Sequence, residues 1–149
     1  MNLKLADLRS EAKKTIKQEK IRLAIREELF RVFGPPIMVS GNLLDVIKAT
    51  NEYLDLCEAS GKDTRYPVKT NVLLEISKSK SSHARKLAVR LLPERIAVKF
   101  INDSEPSVRY SAAKRLSFQQ IKEALKRHPG DDQLRSIMKL KKIKLNLKI

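Results

Sequence analysis

VLLEISKSKSSHARKLAVRLL, residues 72–92, and IAVKFINDSEPSVRYSAAKRL, residues 96–116, are two copies of one pattern. A shift of 24 positions sets Val72 on Ile96, Ile76 on Phe100, Ala84 on Val108, Arg85 on Arg109, Ala88 on Ala112, Val89 on Ala113 and Leu92 on Leu116. A third, looser copy follows with Ile121, Leu125, Leu134, Arg135 and Met138. Within each copy the apolar residues recur at helical spacing in two short runs separated by a polar turn. A helical pair this short cannot bury its apolar face alone. The copies must therefore stack on one another to make a continuous core.

The run DSEPSVRYSAAKRL, Asp103 to Leu116, carries an acidic turn, a proline, a Val-Arg pair and a paired alanine. It resembles the second-helix signature of HEAT-type repeats. The short period is similar to that of the variant leucine-rich repeat, a HEAT-like relative in which such helices alternate with a very short one. The resemblance covers residues 68–142. It implies an all-α fold, a short right-handed α-solenoid of HEAT-like helix pairs. It also implies that Arg85 and Arg109 form a structural ladder with an acidic turn residue of a neighbouring unit, a role for which Asp103 is available. Some variant leucine-rich repeat proteins carry a cysteine cluster for an iron–sulfur centre, and a chain whose one cysteine is Cys57 cannot.

Ahead of the repeats, Leu5, Leu8, Ala12 and Ile16 make a narrow helical stripe, and the apolar density rises from Ile21 to Phe33. The spacing predicts one long helix over about 4–33, its first half exposed and its second half docked, ended by Gly34-Pro35-Pro36. Ser40-Gly41-Asn42 caps a second helix over 42–59, whose stripe is Leu43, Ile47, Thr50, Leu54 and Cys57, with Gly61 as its C-terminal glycine. The expected organisation is a basic N-terminal helix or arm at 1–33, a helical-repeat domain at 34–142, and a tail at 143–149. That tail alternates apolar and polar from Ile143 to Ile149, a strand pattern that Met1–Leu5 echoes. The competing reading is a helix continued past Lys142.

The 149 residues hold 32 Lys and Arg against 17 Asp and Glu, a net charge of +15. Residues 1–33 carry +4, 34–66 carry −2, 67–129 carry +9 and 130–149 carry +4, so the excess sits on the repeats and the two ends. Such a field attracts nucleic acid, an acidic protein or an acidic membrane surface. No apolar run approaches the roughly 20 residues of a membrane span, no secretory signal is visible, and the lone cysteine suits an intracellular setting, cytoplasm or nucleoid.

Catalytic and metal patterns are sparse. His83 and His128 are the only histidines, both at helix ends, and no spacing of His and Cys suits a metal. Asp131-Asp132 reads as helix capping and Glu27-Glu28 as surface charge. No enzyme, cofactor or metal site is expected. The binding candidates are Lys86, Arg90, Tyr110 and Lys114, which the register places side by side, extended by Arg115, Lys122, Lys126, Arg127, Lys139, Lys141 and Lys142. Cations at this spacing suit phosphate contacts, and Tyr110 suits stacking on an unpaired base. The expectation is therefore a non-enzymatic nucleic-acid-binding module using a basic face for DNA or RNA. The alternative is a protein-interaction adaptor or structural subunit, docking through its N-terminal helix and tail into a homo-oligomer or larger complex.

Overall fold

A computed structural model of the chain describes residues 2–62 and 65–147, and every regular element among them is helical. In order these are α1 (Asn2–Phe33), α2 (Leu43–Ala59), α3 (Thr70–Ser77), α4 (Ser82–Leu91), α5 (Glu94–Ala97), α6 (Pro106–Ala113), α7 (Phe118–Arg127) and α8 (Asp132–Leu147). Short 3₁₀ turns occupy Pro35–Ile37 and Val98–Asn102, the second continuing α5. No helix among the described residues is long and apolar enough to cross a membrane. Contacts divide the chain into two compact units, Met1–Val72 and Leu73–Ile149. The N-terminal helix thus shares a unit with α2, and the division falls inside α3.

In the first unit α1 has two regimes. Lys4–Lys20 is exposed throughout, whereas Ile25, Leu29 and Phe33, spaced by four, are buried where α1 packs on α2. Gly34 ends the helix at φ 68°, donating its N–H to the Phe30 carbonyl at 2.9 Å before two prolines forbid continuation. α2 opens with a reciprocal cap: the Asn42 side chain accepts from the Asp45 N–H at 3.0 Å, and the Asp45 carboxylate accepts from the Asn42 N–H at 3.1 Å. It closes on Gly61, φ 73°, with Lys62 N–H donating to the Cys57 carbonyl at 2.9 Å and Gly61 N–H to that of Glu58 at 3.1 Å. Cys57 is buried on the apolar stripe, 3.6 Å from the Tyr66 hydroxyl, beside a cluster of the Phe33, Tyr53 and Tyr66 rings. The hydrogen bond to Cys57, then that to Tyr53 and burial, push the Tyr66 phenol up.

Glu28 fastens the end of this unit to α1. Its carboxylate accepts from Arg31 at 2.6 and 3.0 Å and from the Lys69 backbone N–H at 2.8 Å, 41 residues away. Its side chain is 5% exposed, so the carboxylate relies on these donors in place of water. The sequence reading of Glu27-Glu28 as surface charge is corrected on this residue: the α1 stripe turns Glu28 inward and leaves Glu27 exposed.

The second unit reproduces the period read from the sequence. α3, α5 and α7 begin at residues 70, 94 and 118, each 24 after the last, and α4 and α6 begin at 82 and 106. α8 begins at 132, late by two, because His128-Pro129-Gly130 lengthens the last turn. α4 packs on α6, and α6 and α7 both pack on α8. Ala84, Ala88, Ala112 and Ala113 are buried at the centre of this row, small side chains that let the helices approach closely. Leu87, Leu92, Val108, Leu116, Ile121 and Leu134 fill the rest.

Pro106 stands at the first position of α6, where its missing N–H leaves nothing unsatisfied. One local expectation fails. The C-terminal strand is not formed: Ile143–Leu147 continues α8, and Asn2–Leu5 lies in α1. Met1, Lys148 and Ile149, the rest of that expectation, lie outside the described residues. Alternation over so few residues is a weak signal, while a helix already begun at Asp132 gains one hydrogen bond for each Lys or Leu added.

The Glu28 contacts set a pH dependence. Arg31 holds the carboxyl down from 4.5 to about 2, aided by the Lys69 N–H and opposed by burial. A depressed folded-state value contributes stability that is complete above the unfolded value and lost as pH falls through the folded one. Glu28→Gln is expected to lower the unfolding free energy at pH 7 by about 1.5–3 kcal/mol. It should also flatten the stability loss between about pH 5 and pH 2. Urea titrations at successive pH values measure both, and an unchanged acid limb contradicts the assignment.

Candidate nucleic-acid interface

The second unit sorts its cations by what they touch. Arg85 spreads its guanidinium across two units: Nε and Nη2 donate to the Asp103 carboxylate at 2.9 and 3.2 Å, and Nη1 donates to the carbonyls of Ser79 and Lys80 at 3.1 and 2.8 Å. Arg109 repeats this 24 residues on. Its Nη1 donates to the carbonyls of Asp103 and Ser104 at 2.8 and 3.2 Å, and its Nε to Asp131 at 3.0 Å. Arg135 takes the third position, donating to the Pro129 carbonyl six residues back and to Asp132 at 3.2 Å. The ladder expected from Arg85, Arg109 and Asp103 is therefore present, and Asp131 and Arg135 extend it.

Each ladder aspartate also serves the helix that follows it. Asp103 accepts from the Glu105 N–H at 2.9 Å, and Asp131 from the N–H groups of Gln133 and Leu134 at 3.1 Å each. Burial works to raise the Asp131 carboxyl, but the Leu134 N–H, Arg109 and the Gln133 N–H together hold it below the usual carboxylate range. Reading Asp131-Asp132 as capping was right about the helix and silent about Arg109.

A second series closes the helices at their other ends. Arg115 donates to the carbonyls of Val89, at 2.7 Å, and Leu92, at the C-terminus of α4. Lys141 donates to the carbonyls of Lys114, at 3.0 Å, and Leu116, just past α6. Both cations sit where helix carbonyls lack intrahelical partners, the favourable end of the macrodipole. Burial pushes both side chains below their usual proton affinity, and Lys144 adds to the effect on Lys141. Arg115 and Lys141, candidates for an interface by charge alone, thus hold neighbouring helices together.

Lys86 and Arg90 lie four apart on α4; Tyr110 holds the position equivalent to Lys86 on the packed helix α6, and Lys114, the residue that closes α6, holds that of Arg90. Lys114 places its ammonium 4.8 Å from the centre of the Tyr110 ring, a cation–π contact that covers one face of the tyrosine. Lys122, Lys126 and Arg127 belong to α7, which aligns with α3 and α5, so they are not in the row α4–α6–α8. Lys126 pairs with Glu123 at 3.0 Å. Lys139 and Lys142 are exposed on α8.

Where α6 ends, α7 begins and α8 crosses, a cavity of about 320 Å³ is lined by Lys114, Ser117, Phe118, Lys141, Lys144 and Leu145. Ser117, Phe118 and Lys144 were not legible as site residues: Lys144 lay in the presumed strand, and nothing local ties Phe118 to a residue 26 positions away. The available signal was the capping pair, Ser117 ahead of Gln120, marking a helix start directly after Lys114. Among the described residues no group of His, Cys, Asp and Glu is placed to hold a metal ion. His128 stands 3.3 Å from the Asn102 side chain at a helix end, and His83 is exposed.

Compared with known proteins, the chain matches no family model, no curated protein and no solved structure.

The two aspartates of the last turn give a direct contrast. The Asp131 side chain is 6% exposed and that of Asp132 is 90% exposed. Asp131→Ala strands Arg109 without its counter-charge and is expected to cost about 3 kcal/mol of stability. Asp132→Ala is expected to cost less than about 1 kcal/mol. Thermal unfolding of the two variants checks the order, and equal losses contradict the ladder.

Proposed function

We propose that this chain is a non-enzymatic nucleic-acid-binding module whose HEAT-like stack presents a basic face to the phosphate backbone. One observation carries the reading: the basic excess survives the internal pairing. Residues 73–147 hold 18 Lys and Arg against seven Asp and Glu, and Asp103, Asp131 and Asp132 are already engaged by ladder arginines. The row α4–α6–α8 carries Lys86, Lys139, Lys142 and Lys144 among these cations. Cations fixed along packed helices suit a regularly charged polymer, because they give affinity without reading sequence.

Affinity for a random-sequence oligonucleotide is expected to fall steeply with salt. The joint variant Lys86→Gln, Lys114→Gln should reduce the slope of log K against log salt by about 0.7–0.9 per lost phosphate contact. Its melting temperature should stay within a few degrees of the parent. Salt-series fluorescence anisotropy measures the slope, and an unaltered slope in this variant removes the face from the interface.

A second reading has its own support. Leu5, Leu8, Ile16 and Leu23 of α1 are 58, 67, 56 and 56% exposed, an apolar stripe on a helix otherwise rich in charge. Such a face suits a partner helix, which makes the chain an adaptor or structural subunit. Leu8→Glu with Ile16→Glu is expected to leave the stability of the chain unchanged while dissolving any oligomer. Light scattering coupled to size exclusion decides it, and a monomer in both forms counts against this reading.

A further inference from the structure

The cavity at the junction of α6, α7 and α8 gathers Lys114, Lys141 and Lys144 beside Ser117, Phe118 and Leu145. Like charges brought together repel, and Lys141 is already turned onto the carbonyls of Lys114 and Leu116. Burial and the charge of Lys144 both weaken its hold on a proton, offset in part by Glu94. An anion in the cavity relieves that repulsion.

Two further features narrow the anion. The cavity opens at the start of α7, a helix of 10 residues whose N-terminal dipole favours negative charge. Ser117 caps that helix by accepting from the Gln120 N–H at 3.2 Å, which leaves its own O–H to act as a donor. Beside this polar end stand the Phe118 ring and Leu145, an apolar wall that inorganic phosphate has no use for. A base has a face to stack on such a ring, and the volume lies at the lower end of small-molecule pockets. In a duplex each base is stacked between neighbours and cannot reach it, so an unpaired nucleotide is the fitting occupant.

We propose that this cavity anchors one nucleotide of a single-stranded nucleic acid, its phosphate held by Lys114 and Lys144 at the start of α7 and its base laid against Phe118. The proposal rests on the nucleic-acid reading above and names the form that the face selects. Lys141 acts here as a positioning residue, fixing the end of α6 that presents Lys114.

The test is fluorescence anisotropy of the full chain with labelled 12-nucleotide oligo-dT and oligo-U, and with a duplex of the same length, across a salt series. The parent chain is expected to bind the single strands more tightly than the duplex. Lys144→Gln should weaken that binding several-fold and reduce the salt slope by about 0.7. Phe118→Leu should weaken it roughly tenfold with the slope unchanged, and Phe118→Tyr should restore it. Should Phe118→Leu lower the melting temperature, the comparison of Lys144→Gln with Phe118→Tyr still decides. Salt-dependent binding by the parent that Lys144→Gln and Phe118→Leu leave intact overturns the cavity while the basic face stands. No binding to any oligonucleotide at low salt overturns both, and binding only to phosphatidylserine vesicles does the same by assigning the cavity to a lipid headgroup.

Discussion

The contact that the second unit depends on is the bidentate pair of Arg85 with Asp103, followed one repeat on by the Arg109 Nε bond to Asp131. Each arginine takes two carbonyls of the turn behind it and the aspartate of the turn ahead. Each aspartate in turn receives N–H groups at the start of the next helix. One side chain therefore satisfies orphan donors of a helix start and the charge of a neighbouring unit together. The planar fork of arginine suits this, because its donors point in fixed directions that a lysine cannot reproduce. The aspartates are nearly buried and the arginines mostly so, which makes removal of one partner far more costly than the net value of the pair.

From that constraint follows a division among the cations. Arg85, Arg109, Arg115, Arg135 and Lys141 all donate to carbonyls of a turn or of a helix end. Their donors go to carbonyls at turns and helix ends, where the intrahelical pattern of hydrogen bonds stops. Lys139, Lys142 and Lys144 are exposed on α8, Lys86 is half-exposed on α4, and Lys114 and Lys144 line the cavity at the start of α7. Net charge alone does not separate the two groups. Position relative to the helix ends does.

How far the sequence foretold this depended on whether a feature was periodic. The 24-residue shift located six helices, because repeated contacts leave repeated residues, and the resemblance to HEAT-type repeats implied the Arg85–Asp103 rung. Glycine and proline at Gly34 and Gly61 fixed two helix ends for backbone reasons that no tertiary context alters. Features made by contact between distant segments left no such mark. Glu28 meets Lys69 across 41 residues, and Lys141 meets Leu116 across 25. The last turn also broke the register, with Asp131 four places beyond the period, so its bond to Arg109 was hidden from an alignment by 24. The tail misled for the opposite reason: alternation from Ile143 looked like a strand, while the helix beginning at Asp132 extended through it.

The central claim is that geometry assigns the repeat arginines to the scaffold, while the proposed function assigns the surface lysines to the ligand. Arg109→Lys tests it most directly, since it keeps the charge and removes the fork. Unfolding free energy and oligonucleotide affinity should be measured side by side for this variant, under conditions where it stays folded. The account predicts a clear loss of stability with unchanged affinity and salt slope. An affinity loss with stability preserved would place Arg109 in the interface and contradict the division.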